Sequence, residues 1–588
     1  MRTRPVAQCQ GYEAMIQTQT THDVAIIGGG PGGSTVASFL KLYNPELRVV
    51  VFEKERFPRE HVGESQLPVV GHILDEIGVW DKVEAANFPI KIGATYLWGS
   101  SPQPWDFEFL PLSQFRDQTR PAKFEKDRQL TAWQVDRARY DKILLDHARE
   151  LGAEVHEGTQ AKVIKGEDDR VQAIESDAGR FTAKHYIDAS GHIGVLRRAM
   201  GIGRTVPTKL MNVAVWDYWE DARWATTIGT GGTRVQVLSI GSGWIWFIPI
   251  SPTRTSIGFI CPAAYYKAKG MSPEELYLDA LSQCPRVMAL TADATRETPV
   301  RTTTDWSFLA DRMVGSNWML VGESAGFADP VLAGGLALTH VGARAAAYMI
   351  LSLERGEHDR AWLADWYTKS QQRQMKQFIR FAEFWYAANG QFTDLQDISA
   401  DIAKDAGIKL TAKEAFRWLS LGGFNPEDGS RPGIAGLDFG AVHEITGKFV
   451  DQPDAPWSIS KYNTFKLNLV GARKTKVPLL KDGRIEARDA YTRGGRTLPL
   501  LGVYAVVHDV LRSTPNDMDS IAQAIVDVAA RIPWLQAHDA MATLETMLID
   551  GWVRGSVDKR RPVRPYLPHG PEGRSNFHPN EDDIPEIA

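Results

Sequence analysis

His22-Asp23-Val24-Ala25-Ile26-Ile27-Gly28-Gly29-Gly30-Pro31-Gly32-Gly33 decides the fold. Val24 to Ile27 is a short apolar run suited to a buried parallel strand, and Gly28, Gly30 and Gly33 follow it in G-x-G-x-x-G register. The first glycine makes the tight turn, the second lets backbone approach a pyrophosphate, and the third lets the next helix pack on the strand with its N-terminal amides toward the phosphates. A second apolar run, Arg48-Val49-Val50-Val51-Phe52, ends in Glu53, twenty residues past Gly33, where an acid accepts the ribose hydroxyls of an adenosine. Strand, glycines, helix, strand and acid in that order predict an α/β dinucleotide-binding unit and leave the choice of dinucleotide open.

The chain of 588 residues has room for two or three domains, and 43% apolar with 24% charged residues is the mix of a soluble globular protein. A net charge of −5 gives no basic face, so neither nucleic acid nor an anionic membrane is an expected partner. Cys9, Cys261 and Cys284 are scattered, without a C-x-x-C pair, and fit a reducing cytoplasm. Residues 1 to 20 read as a polar leader without a signal-peptide core, and no 18-residue apolar run predicts a membrane span. The fourteen histidines show no H-E-x-x-H or other metal spacing, and no G-x-S-x-G elbow is present.

Outward from the glycine loop, residues 21–204 read as the first part of the dinucleotide domain. Residues 205–300 have the texture of a largely antiparallel sheet, including Val235 to Ile240, Trp244 to Ile250 and Ser256 to Ile260, and are expected to be an inserted substrate domain. Residues 301–388 return to strand, glycine-rich loop and helix and complete the first domain. Residues 389–588 are expected to be helix-rich, with helices near 517–531 and 538–551 and a disordered, proline-rich tail from about 561.

Segments far apart in the chain recur at predicted strand ends: Gly28 to Gly33, Glu53, Arg137, Asp188 and Gly322 to Gly335. Large flavin enzymes wrap FAD with several such segments, whereas a nicotinamide enzyme needs one fingerprint, so FAD is the expected cofactor. No second G-x-G-x-x-G follows a strand. Reducing equivalents are therefore expected from a separate protein or from transient nicotinamide contact.

Gly243-Trp244-Ile245-Trp246-Phe247-Ile248-Pro249 resembles the W-x-W-x-I-P signature of flavin-dependent halogenases. The resemblance extends to Val62-Gly63-Glu64-Ser65, Lys91 ahead of Gly93-Ala94-Thr95-Tyr96-Leu97-Trp98-Gly99, Asp188-Ala189-Ser190-Gly191 and Phe327-Ala328-Asp329-Pro330, over roughly residues 22 to 385. Its details are similar to the phenol- and pyrrole-halogenating branch, which includes the halogenase of chloramphenicol biosynthesis. The tryptophan-halogenating branch carries a glutamate where this chain has Leu332, which disfavours free tryptophan as substrate.

The resemblance implies an FAD-binding domain of the glutathione-reductase and p-hydroxybenzoate-hydroxylase type. It implies that a partner flavin reductase delivers reduced FAD, that oxygen gives a C4a-hydroperoxide, and that a halide ion attacks it to form hypohalous acid. Lys91 would hold that oxidant by hydrogen bond, or react with it as a chloramine, and present halogen to an electron-rich phenol or pyrrole, free or tethered to a carrier protein. Trp244 and Trp246 alternate with Ile245 and Phe247, so both indoles share one side of a strand; in the family they wall flavin from substrate. Gly28, Gly30, Gly33, Glu53, Arg137, Asp188, Glu323 and Asp329 are expected at the cofactor, and Gly334 and Gly335, where a helix begins, at the halide. Family members commonly show Gly-Asp-Ala where this chain has Gly322-Glu323-Ser324, and a serine-rich turn where it has Ala333-Gly334-Gly335-Leu336. A second expectation is therefore an aromatic flavin monooxygenase of the same fold.

Overall fold

The structure is a computed structural model that describes residues 20–98, 104–109, 119–206, 211–304, 306–388, 433–434, 437–438, 457–532, 535 and 537–563. Strand Thr20–Ile27 lies between two parallel neighbours, Val49–Glu53 and Gly179–Asp188. Glu154–Glu157 extends the sheet beyond the first, and Trp318–Leu320 pairs with the second. An antiparallel hairpin, Lys162–Lys165 with Val171–Ser176, joins the other end of Gly179–Asp188. Val24 to Ile27 and Val49 to Phe52 are buried on both faces, as parallel strands covered by helices must be. Helices Pro31–Tyr43, Arg137–Glu150 and Gly335–Arg355 supply that cover.

Helix Gly335–Arg355 is, among the described residues, the single helix long and apolar enough to cross a membrane. Its apolar window is 78% buried inside the protein, which makes it the central core helix. Small residues along it, among them Ala343, Ala345, Ala346 and Ala347, let neighbouring helices pack closely: Pro31–Tyr43 lies against it, and on another side Gly342 admits Gln371 of helix Arg360–Ala388.

The second sheet has eight strands and corrects the expected boundaries. Asn212–Glu220, Gly232–Ile240, Gly243–Pro249, Arg254–Pro262 and Thr295–Thr304 pair antiparallel as the 205–300 reading expects. Three further strands come from before residue 205: Ile90–Leu97, Trp105–Glu108 and Ala132–Trp133. Ile90–Leu97 pairs in parallel with Gly232–Ile240, so this segment of the expected first domain belongs to the sheet domain. The inner strands Asn212–Glu220, Gly232–Ile240, Gly243–Pro249 and Arg254–Pro262 bury both faces, whereas the edge strand Thr295–Thr304 is half-buried to exposed along its length. Trp244, Trp246 and Ile248 join the main core, while Ile245 and Phe247 join a separate core under helix Pro273–Ser282.

Residues 457–563 form a smaller unit with its own core around Trp457, Phe465, Val507, Ile521, Leu544 and Trp552. Helices Met518–Ala529 and Ala537–Ile549 fall close to the two expected positions, with a third at Gly502–Ser513. The expectation of a helix-rich region is corrected: Arg473–Lys481, Arg484–Arg493 and Arg496–Pro499 form an antiparallel sheet, and Thr464–Leu467 pairs with Val553–Ser556. Residues 1–19 of the expected leader and 564–588 of the expected tail lie outside the described residues.

Candidate active site

The glycine loop takes the form its spacing demands. Gly28 has φ +104°, and a Cβ there would lie 2.3 Å from the Ala189 carbonyl oxygen of the adjacent strand end. A Cβ on Gly33 would lie 1.9 Å from the Gly28 carbonyl oxygen, so only glycine lets the helix start this close to the turn. Gly30 is the extended residue before helix Pro31–Tyr43, and a Cβ there would meet the Arg59 guanidinium at 3.1 Å. Glu53 folds back over the loop: one carboxylate oxygen accepts from Gly29 N at 2.8 Å and the other from Glu55 N at 2.9 Å. A side-chain-free loop, helix amides at its far end and an acid at the second strand fit the dinucleotide end of FAD.

Arg137, expected at the cofactor, forms a buried bidentate pair with Asp141, Nε to Oδ1 at 2.7 Å and Nη2 to Oδ2 at 3.0 Å. Its Nη1 donates to the carbonyls of Val62 and Gly63 at 3.2 and 3.1 Å, so it fixes the 62–66 loop. Arg59 adds its own Nη1 to Asp141 at 3.1 Å. His61 sits among these charges; burial, with the Arg137 cation second, holds its imidazole below the usual range. Glu323 lies in the turn Gly322–Ser324, faces Arg137 and His61, and approaches Gly191. The Asp188 carboxylate is used within its own turn, accepting from Ser190 N, Ser190 Oγ and Arg197 N at 3.1, 2.5 and 2.8 Å, and so shapes the strand end beside Gly28.

Gly334 and Gly335 stand where expected, at the start of helix Gly335–Arg355, after Ala333 in the left-handed region at φ +54°. Aromatic rings close over both: a Cβ on Gly334 would lie 2.0 Å from Phe378 and one on Gly335 2.8 Å from Phe327. The positive end of a 21-residue helix therefore begins at two glycines covered by the Phe378 and Phe327 rings. Deeper in the same helix, burial pulls His340 down to about 3, so its neutral ring links Thr35 Oγ1 at 2.9 Å to the Tyr140 hydroxyl at 2.8 Å.

Trp244 and Trp246 lie on the same side of their strand with ring centroids 6.2 Å apart. Trp246 Nε1 donates to Ser256 Oγ at 3.0 Å, and its ring lies against Gly258 of the next strand, where a Cβ would come within 2.1 Å. Trp244 Nε1 donates to the Tyr386 hydroxyl at 2.9 Å, and that hydroxyl donates to Asp329 at 3.1 Å. Asp329 also accepts from Val331 N, and burial pushes its carboxyl up to about 6. The tryptophan wall and the Asp-Pro turn are thus one hydrogen-bonded unit, joined by Tyr386, whose part in it the sequence did not reveal.

Lys91 is on the strand Ile90–Leu97, separated from the tryptophan strand by Gly232–Ile240 alone. It is 3% exposed, its Nζ donates to the Gln66 carbonyl at 2.9 Å, and the Phe109 ring centroid lies 5.3 Å away. Burial pulls its ammonium down to about 7. Glu64 lies two residues before Gln66. It is fully buried, accepts from Gly63 N and the Tyr218 hydroxyl at 3.1 Å each, and has its carboxyl pushed up by burial. Tyr218 lies under Arg254 and Arg301, 4.0 and 4.9 Å from its ring centroid.

With this geometry in place, comparison with known proteins is informative. The family model described as tryptophan halogenase matches residues 23–126 and 113–394. The tryptophan 2-halogenase of Chondromyces crocatus is 30% identical over 385 residues, 64% of this chain and 70% of that protein. The 1H-pyrrole-2-carbonyl-[peptidyl-carrier protein] chlorinase of Pseudomonas fluorescens is 29% identical over 387 residues, 63% of this chain and 85% of that one. Among solved structures, the myxobacterial chondrochloren halogenase CndH superposes with TM-score 0.58 at 27% identity, covering 66% of this chain and 90% of its own. CmlS, a flavin-dependent halogenase, shares the fold over 95% of this chain and 99% of its own, with TM-score 0.69 at 23% identity.

Proposed function

The chain belongs to the flavin-dependent halogenases, the family of the tryptophan halogenase model, and from that premise we propose that it halogenates an electron-rich phenol or pyrrole through hypohalous acid guided by Lys91. Its cofactor is FAD. Bound and reduced, FAD supplies the electrons with which oxygen is activated toward a halide ion, giving hypohalous acid. Gly28, Gly30, Gly33 and Glu53 would hold the adenosine end, Glu323 would face the middle of the cofactor, and Asp329 would lie beside the ring. Arg137 and Asp188 act one step back, Arg137 by fixing the 62–66 loop and Asp188 by shaping the strand end beside Gly28.

The halide binds at the amides of Gly334 and Gly335, where helix charge compensates an anion without a side-chain cation. Trp244 and Trp246, fixed by Tyr386 and Ser256, keep the aromatic substrate away from the oxygen chemistry. Lys91 then acts as a neutral amine. Its nitrogen takes the halogen as the halogen–oxygen bond breaks, and the hydroxyl leaves as water with a proton of the amine. The nitrogen–halogen bond next breaks toward a ring carbon of the substrate, and the ring proton departs. The observation that carries this reading is a buried lysine with an amine pKa of about 7, held by a neutral carbonyl in the sheet that bears the tryptophan wall.

Phenol or pyrrole chemistry is preferred to free tryptophan because Leu332 replaces a glutamate. A carrier-bound acceptor is compatible with the pyrrole chlorinase relative, which is named for a carrier-linked substrate. A separate flavin reductase is the expected electron source. The test is Lys91→Met, which keeps a buried unbranched side chain of similar length. Halogenated product is expected to fall at least about a hundredfold, on the order of one lost catalytic proton or group transfer, with FAD affinity unchanged. Halogenation at the wild-type rate would rule out Lys91 as the carrier.

A further inference from the structure

Three chain segments meet beside Lys91. Ser65 forms a bridge with Gln134, Gln66 N donates to Trp133 O at 3.2 Å, Gln134 N donates to Pro89 O at 3.0 Å, and Lys91 pairs with Ala132. Paired residues of adjacent strands share a side, and so do residues two apart, so Ser65, Lys91 and Gln134 present their side chains on one face of this patch. All three are more than nine-tenths buried, at 8%, 3% and 0% exposure. Yet Ser65 Oγ and both amide atoms of Gln134 have no hydrogen-bond partner. The neighbouring Gln66 side chain is fully buried too; its amide comes near the Tyr140 hydroxyl, which is engaged by His340, without reaching hydrogen-bond geometry.

A buried amide with neither half satisfied is rare because it forfeits its hydration for nothing. Several such atoms beside one reactive lysine indicate a polar molecule that belongs there. A free halide would use the donor half alone. Hypohalous acid is neutral, donates through its hydroxyl and accepts at the same oxygen, and a carboxamide offers one complementary group for each. Amides and alcohols also resist halogenation far better than an amine, so they can hold the oxidant without consuming it.

Resting on the Lys91 reading above, we infer that Gln134, with Ser65, forms a holding station for hypohalous acid on its way to Lys91, and that its function is to deliver the oxidant and prevent its escape. The station adds a hydrogen-bonding pair to a route whose end alone was visible in the sequence.

The test compares the full-length wild-type protein with Gln134→Leu, Ser65→Ala and Lys91→Met, supplied with reduced FAD, oxygen and bromide. Each is assayed with a panel of phenols and pyrroles, and with monochlorodimedone as trap for free hypohalous acid. For Gln134→Leu the ratio of halogenated aromatic to oxygen consumed is expected to fall roughly fivefold to tenfold, as for one lost hydrogen bond, with trapped oxidant rising to match. Ser65→Ala should act in the same direction. A merely structural amide predicts something else: replacing an unsatisfied buried amide by leucine leaves Tm equal or higher and the coupling ratio unmoved.

Wild-type coupling in Gln134→Leu, or product loss that tracks weaker FAD binding without more trapped oxidant, would overturn the station. The first outcome would mean that the amide holds ordinary buried water, and the second that it contacts the cofactor. Lys91→Met with undiminished product, or no halogenated product from the wild type on any acceptor, would overturn the reading on which the station rests.

Discussion

Burial of Lys91 makes a prediction about pH in two observables. Its folded-state pKa of about 7 lies below the ordinary lysine value of 10.5, so between the two the unfolded chain binds more protons and stability rises with pH across that window. The penalty of burying the charge is complete below about 7 and gone above about 10.5. Thermal denaturation of Lys91→Met against wild type should therefore show the variant more stable near pH 6 and the difference shrinking toward pH 10. On the proposed mechanism, in which the neutral amine takes the halogen, the halogenation rate should climb through about pH 7 and level off. A rate that falls above pH 7 would mean that the ammonium is the working form. Tyr386→Phe is a second residue-scale test: it leaves Trp244 Nε1 and the buried Asp329 carboxyl each short of a partner. A loss of about 1–3 kcal/mol in denaturant unfolding is expected, with the Asp329 carboxyl pushed further above its present value of about 6.

At the scale of elements, glycines set how closely helices approach their sites. Gly33→Ala would put a methyl 1.9 Å from the Gly28 carbonyl oxygen, so loss of FAD binding, read by flavin absorbance after desalting, is expected. Gly334→Ala would place a methyl 2.0 Å from the Phe378 ring and displace the start of helix Gly335–Arg355, the proposed halide site. The expected result is a bromide KM raised roughly tenfold, as for one lost charge-assisted contact, with FAD binding retained. Gly33 was legible in the sequence because its clash is local, with Gly28 five residues before it, whereas Gly334 was legible by its place at a helix start and its clash with the distant Phe378 was not. Lys91's strand was legible as a strand, but its sheet was not. Its parallel neighbour Gly232–Ile240 is remote in the chain, and periodicity carries no record of such pairing. The strands of 473–499 were missed for another reason. In Arg484–Arg493 Ile485 and Ala490 alone are buried, so alternation is too weak to separate the segment from charged helix or loop.

Over the whole molecule, two sheets divide the work. The parallel sheet and its glycine turn present one end of the cofactor, and the antiparallel sheet carries tryptophan wall and lysine together. Central helix Gly335–Arg355 links them, with the proposed halide site at its start and the C-terminal unit at its far half. That unit docks by its hairpin tip: Gly483 N donates to the Tyr348 hydroxyl at 3.1 Å, Arg355 donates to Gly483 O at 2.6 Å, and His358 Nε2 meets Ile485 O at 2.7 Å. Gly483 has φ +71°, and a Cβ there would lie 2.4 Å from Tyr43. Gly483→Ala is expected to destabilise the protein by about 1–3 kcal/mol in a chemical unfolding curve while sparing FAD binding. How this unit sits on the enzyme was beyond the sequence, because most of its contacts use backbone groups of the hairpin tip, which carry no residue signature.

The central claim, halogenation rather than oxygenation, is tested most directly by mass spectrometry of an aromatic panel incubated with the protein, reduced FAD and oxygen, with and without bromide. The account predicts products carrying the bromine isotope doublet that require both halide and enzyme. Products heavier by one oxygen, formed equally well without halide, would contradict it.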